Sequence, residues 1–364
     1  MKRKTLISII ACTAISLSAV LVLYKLSDHV VHSPGGFYRI MPPHPVIPLS
    51  SMELRFPSYY IAGATQQKII LGDRTSPLNA LVLNADLTDS MTVRLKLKGV
   101  DRLKFYRAIV KIDSPYFFLA DGSIPFIYRG NLSDWQGERI DRKTIYFQDL
   151  VPLGEDRFAI RSYSLSKKEN VLGHLSLDTT RVKFDYTLLT KQIDGIFCTD
   201  GMLQFDNATR RIVYLYFYRN QYIVTDDQLG LEFRGTTIDT FSTAKVKSAS
   251  ITLPGKVSSR LAGPPPTVNK HSCVYGDWLF VHSNILSNNE DVTVFSRTSV
   301  IDIYSLGARK YLFSFYVPDR NHDKMRGLTV VNKRLFVLYE SFIDSYQLNK
   351  DYFKSTAFRR GFAD

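Results

Sequence analysis

The chain has 364 residues, 45% of them hydrophobic, with 23 Phe, 21 Tyr and a formal net charge of +13. That is enough apolar material for a large core, in one repeat domain or two ordinary ones, and the wealth of flat side chains favours an all-β fold. The positive excess is diffuse, and without a clustered basic helix or an RNA-binding aromatic signature it gives no ground for a nucleic-acid partner.

The chain opens with Lys2, Arg3 and Lys4, which precede the uncharged segment Thr5 to Tyr24. At about 20 residues this segment has the length needed to cross the hydrocarbon layer, and the cations before it assign the remainder to the outer side. Three fates compete: a retained anchor, a cleaved signal peptide, or a lipoprotein cut before Cys12. The apolar run continues to Leu23 and no A-x-A site follows it, so a retained anchor over residues 1–24 is the expectation. The expected location is a cell inner membrane, spanned once, with the bulk of the chain on the periplasmic or extracellular side.

Residues 25–50 hold Pro34, Gly35, Gly36 and then Met41-Pro42-Pro43-His44-Pro45-Val46-Ile47-Pro48. This composition predicts an extended, polyproline-like stalk. His29, His32 and His44 fall within it, and His29-x-x-His32 has metal-ligand spacing. A solvated linker is the expectation, because a third ligand in a fixed frame is missing.

From residue 51 to 364 a polar turn followed by two apolar runs returns six times. The first runs are Lys68 to Leu71, Tyr116 to Leu119, Arg157 to Ile160, Ile212 to Tyr216, Trp278 to Val281 and Leu335 to Leu338. The second runs are Leu81 to Leu83, Phe126 to Tyr128, His174 to Leu177, Tyr222 to Val224, Val300 to Tyr304 and Phe342 to Tyr346. A small twisted sheet cannot bury both faces alone and must stack on its neighbours, so this period predicts a six-bladed β-propeller. A pair of sandwiches would also alternate strands and turns but would not explain the recurring unit. Met52 to Phe56 is the expected outer strand that joins the chain ends in the last blade. Thr236 to Lys270 is the longest irregular stretch and reads as an insertion over one face.

Catalytic signatures do not emerge: there is no GxSxG, HExxH, Walker loop or GxGxxG, and no cofactor is assigned. Cys198 and Cys273 either pair, if the domain is exported, or serve as small buried apolar fillers; the lack of CxxC removes the common zinc and thioredoxin readings. Asn284 to Asp291 is rich in oxygen ligands but lacks the spacing of a calcium loop and reads as a polar hairpin tip. The cations Arg94, Lys96, Lys98, Arg102, Lys104 and Arg107 partly alternate with Val93, Leu95 and Leu97, the pattern of an outer strand with one solvated face.

In a propeller the innermost strand of each blade begins near the central channel, so residues just ahead of each first turn should ring its mouth. Counting back gives Tyr60, Arg107, Asp149, Asp200, His271 and Arg326, with Lys270 and Cys198 beside them. Such a ring suits a small zwitterionic or anionic ligand or a peptide terminus. The alternative is a set of salt bridges around a water-filled channel.

On repeat length and strand pattern from Ser51 to about Phe358, the chain resembles the anchored or secreted six-bladed propellers of bacterial envelopes, the TolB-like and NHL-like group. That resemblance implies a rigid scaffold for ligands or protein partners. Some members are lactonases and other hydrolases that hold calcium at the channel with Asp, Asn and Glu, whereas the ring here offers Arg107, His271 and Arg326. The expected function is a membrane-anchored binding scaffold, its partner an envelope protein or a small charged ligand. The alternative is a metal-dependent hydrolase or lyase using the channel mouth.

Overall fold

The computed structural model describes residues 3–31, 35–99, 104–141, 144–177, 181–246, 248–253, 256–261, 263, 265–320 and 323–354. It is an all-β six-bladed propeller preceded by one long helix. That helix, α1 (Arg3–Val31), contains an uncharged window, Ile7–Tyr24, long and apolar enough to cross a membrane. The helix continues seven residues beyond Tyr24, through the first part of the segment read as a stalk.

The rest of that segment is not a free stalk. Residues 35–45 run down the outside of the barrel of blades, with Phe37 and Arg39 buried, and lead into β1 (Val46–Glu53). Blade one is β2 (Tyr59–Ala64), β3 (Lys68–Asp73), β4 (Asn79–Asn84) and β5 (Ser90–Arg94). After β5 the chain turns at buried Leu95 into β6 (Lys96–Leu97), which pairs parallel with the outer strand of the next blade. Blade two is β7 (Ile109–Asp113), β8 (Tyr116–Asp121), β9 (Phe126–Asn131) and β10 (Gln136–Arg139), and blade three is β11 (Asp149–Pro152), β12 (Arg157–Ser164), β13 (Glu169–Ser176) and β14 (Arg181–Asp185). Blade four is β15 (Gly201–Asp206), β16 (Arg211–Tyr216), β17 (Gln221–Asp226) and β18 (Leu231–Thr236).

The predicted insertion follows blade four and contains a hairpin of its own, β19 (Ser248–Leu253) with β20 (Lys256–Leu261). Blade five is β21 (Asn269–Tyr275), β22 (Trp278–Ser283), β23 (Thr298–Ser305) and β24 (Lys310–Pro318), with a five-residue helix α2 (Val292–Ser296) between β22 and β23. Blade six has β25 (Gly327–Val331), β26 (Arg334–Leu338) and β27 (Phe342–Leu348), and its outer strand is β1, paired antiparallel from Val46 opposite Leu348 to Glu53 opposite Phe342. Ring closure by an N-terminal outer strand is therefore as expected, but the strand begins at Val46 and ends at Glu53, so Leu54 to Phe56 lie outside it.

The repeating apolar runs are the second and third strands of each blade, the two whose faces are both covered by neighbouring blades. That is why they read as continuous runs. Six apolar clusters sit one at each blade–blade seam. Phe117 and Ile70 share the seam of blades one and two, Phe118 and Phe158 the next, and so on round to Ile69 and Phe336, which join blades six and one. The inner strands touch in the cyclic order β2, β7, β11, β15, β21, β25 and back to β2, which closes the ring.

All six inner strands start at one face, here the mouth face. The connections between second and third strands and between successive blades lie there, and the tight turns after first and third strands lie on the opposite, far face. The strap of residues 35–45 begins at the mouth face, where the Gly35 amide donates to the Leu286 carbonyl at 2.8 Å and its carbonyl accepts from Thr240 Oγ1 at 2.6 Å. It ends at the far face, where Asn349 N donates to the Pro45 carbonyl at 2.9 Å.

The segment Asn284 to Asp291, expected as a polar tip, is the receptor for this strap. Asn289 Oδ1 accepts from Arg39 N and its amide group donates back to the Arg39 carbonyl, both at 2.9 Å, while Gly36 N donates to Asn288 Oδ1 at 3.1 Å. The Arg39 guanidinium donates to both Asp302 oxygens at 2.7 and 3.1 Å, to the Ile285 carbonyl at 2.9 Å and to Glu290. Burial works against its charge, but Asp302 and Glu290 more than offset that and hold it firmly protonated.

Candidate functional site

The six residues expected at the mouth do lie where inner strands begin, and the structure divides them into groups. Asp149 opens β11 and lies directly across from Arg161 of β12, while Asp200, just before β15, forms an ion pair with the same Arg161. Lys111 of β7 approaches Asp149 at 3.9 Å. Burial opposes the Arg161 charge, and Tyr214 and the two carboxylates outweigh it, so the group stays protonated. The cation between the two aspartates is thus the chain's own guanidinium. Sequence reading overlooked Arg161 because it searched only the starts of inner strands; the signal was a lone arginine ending the apolar run Phe158-Ala159-Ile160.

His271, Lys270 and Arg326 gather on the side of blades five and six. His271 stacks on buried His282 with ring centroids 5.5 Å apart. Burial, and then the Lys270 charge, push its pKa down to about 4 despite a hydrogen bond with the Met325 backbone. Lys270 occupies the register shift between Asn269 and His271, and burial together with nearby Lys324 lowers its pKa. Arg326 is exposed and donates to the Pro57 carbonyl at 2.5 Å. Arg107 is exposed as well.

Tyr60 does not face the channel opening. Its hydroxyl accepts from Val110 N at 2.6 Å in the seam between β2 and β7, and a Cβ on Gly72 would collide with its ring. Burial raises its pKa to about 12. Cys198 and Cys273 are unpaired and buried in separate clusters, the first with Ala244 and Val246, the second in the seam of blades five and six. His32 lies outside the described residues, as does Arg102 of the cationic run, and His44 is exposed.

The far face carries two adjoining clefts that sequence reading did not find, because their walls are turn residues taken only as punctuation. One, of about 460 Å³, lies between blades one and two, with Ile70, Val82, Met91, Leu132 and Trp135 supplying apolar surface. The other, of about 540 Å³, lies between blades six and one, lined by Asn84, Asp86, Asn332, Arg334 and Gln347 among others. Gln66, Gln67 and Lys68, the turn from β2 to β3, form a wall of both. Each volume is within the range that holds a ligand side chain or small molecule.

No family model matches the chain, and no curated protein matches it. Among solved structures it is similar to a member of the DUF4221 family from Bacteroides vulgatus, at 13% identity over 84% of this chain and 97% of that one, TM-score 0.48. It is also similar to BamB from Moraxella catarrhalis, at 12% identity over 83% and 97%, TM-score 0.41. A chain of a nidogen/laminin complex matches at 10% identity over 72% and 81%, TM-score 0.42. The blade count rests on the strand order of this chain itself.

Proposed function

We propose that the protein is a membrane-anchored binding scaffold of a bacterial envelope, which holds a segment of a partner protein in the two far-face clefts. The observation that carries this reading is their shared wall. Gln66 to Lys68 stand between an apolar hollow and a polar one, so the combined footprint is elongated, which suits an extended chain better than a compact small molecule. A closed ring with an apolar core at every seam keeps that footprint rigid, which lowers the cost of ordering on binding. The apolar window Ile7–Tyr24 of α1, preceded by Lys2, Arg3 and Lys4, supports retention in the inner membrane with the propeller on the periplasmic or extracellular side.

A metal-dependent hydrolase or lyase at the channel mouth is the competing reading. It needs Asp149 and Asp200 to converge on a metal ion, and the position between them holds the Arg161 guanidinium.

The test places a photo-crosslinking amino acid at Gln66 or Met91 of the full chain in its native cells, with Ala308, on a far-face turn of blade five, as control. The expected result is one discrete protein adduct common to Gln66 and Met91 and missing from Ala308. No adduct, or the same adducts at all three positions, contradicts the reading.

A further inference from the structure

Exposed apolar side chains are distributed unevenly over the propeller. The mouth-face loops present Phe56, Tyr106, Tyr146, Leu165, Ile193 and Val292, drawn from five of the six blades, whereas at the far end the exposed large hydrophobics among the described residues, Ile47, Met91 and Leu231, lie at the starts of outer strands and not in the turns. Leu165 and Tyr106 are 83% and 78% exposed. Exposed single apolar residues are ordinary, but a set that recurs from blade to blade on the loops of one face marks a contact surface.

Charge follows the same division. Arg55, Arg107, Lys167, Lys191, Arg297 and Arg326 are exposed on these loops, and the exposed acids among the described residues there are Asp291, which caps α2, and Glu340. Arg55 lies over the ring of Phe56, 5.2 Å from its centroid, so one loop offers a cation and an aromatic side by side. The blade four to five insertion opens on this face, and residues 240–276 contain Lys245, Lys247, Lys256, Arg260 and Lys270 but no Asp or Glu.

The anchor reaches the same face. Between the apolar window ending at Tyr24 and the fixed strap beginning at Gly35 lie seven helical residues, about 10 Å, and then four chain steps, at most about 14 Å. Gly35 is therefore within about 25 Å of the hydrocarbon edge, of which the headgroup layer takes about 5 to 7 Å. The far face is a further strand length, about 20 Å, away.

We propose that the mouth face rests on the anionic phospholipid surface of the bilayer that holds α1. The loop cations meet headgroup phosphates, and the aromatic and aliphatic tips enter the interfacial layer. The far-face clefts then point away from the membrane. This inference rests on the reading of α1 as a retained anchor.

The test uses the full chain, with Cys12→Ser, reconstituted in nanodiscs of anionic phospholipid. An environment-sensitive fluorophore is attached through Tyr106→Cys or Leu165→Cys on the mouth face, or Gln228→Cys or Ala308→Cys on the far face, and is quenched by headgroup spin-labelled lipid. Quenching several-fold stronger at the two mouth positions is expected, reduced in high salt and by Arg55→Glu with Lys167→Glu. Equal quenching on both faces, or stronger quenching on the far face, overturns the inference and leaves the anchor standing. Release of the unlabelled full chain from vesicles by an alkaline wash overturns the anchor, and the inference with it.

Discussion

His271 illustrates how a single position at the mouth couples to the stability of the whole ring. Its pKa falls from an ordinary 6.5 to about 4 on folding, chiefly through burial, with Lys270 and Arg326 nearby and stacked His282 also held neutral. Because the folded value is the lower one, the unfolded chain takes up the proton first as pH falls. Stability from this residue is complete above about pH 6.5, declines between pH 6.5 and 4, and is level below that, a loss of up to about 3 kcal/mol. Denaturant titrations across that window should show the decline, and His271→Gln should flatten part of it. Asp121 acts in the same sense, in a more acidic range. Its fully buried carboxylate accepts from the amides of Tyr106, Arg107, Ser123 and Ile124, at 2.7 to 3.2 Å, which keeps its pKa below the ordinary value although burial pulls the other way. Asp121→Ala strands four donors and should cost about 3 kcal/mol in equilibrium unfolding. The starts of the inner strands were legible in sequence because the repeat fixes where those strands begin. Their partners were not: Arg161 and His282 belong to second strands, and cross-strand neighbours depend on register, which one sequence leaves open.

At the level of elements, the second and third strands of every blade were legible and the rest less so, for one physical reason. Strands covered on both faces are uniformly apolar, whereas inner strands border the channel and outer strands border solvent, so their patterns are mixed. The stalk reading of 25–50 failed for a related reason. Pro42, Pro43, Pro45 and Pro48 do forbid helix, but an outer strand tolerates proline where no ladder donor is needed, and Pro48 lies in β1 opposite Tyr346. What holds 35–45 down is Arg39, a single residue whose meaning depends on two carboxylates more than 250 positions away. Removing it leaves Asp302 and Glu290 buried without their counter-charge. Arg39→Ala should therefore destabilise the chain by about 3 to 5 kcal/mol and make the strap sensitive to protease. Limited proteolysis followed by N-terminal sequencing would reveal new cuts between residues 35 and 45; an unchanged pattern would mean that the backbone bonds to Asn288 and Asn289 suffice.

For the whole molecule, helix α1, the strap and the ring-closing strand are one continuous piece of chain, so a membrane attachment through α1 would be mechanically joined to ring closure. A propeller cleaved after α1 would keep its strap and its closed ring but would have no fixed distance from a bilayer, on which both the proposed outward clefts and the proposed membrane-facing mouth depend. The decisive measurement is the mass and partition of the mature protein in membranes washed with alkaline carbonate. An uncleaved chain of 41.6 kDa retained in the membrane fraction is the predicted result. A shorter species, lacking the residues of α1 and released into the soluble fraction, would contradict it.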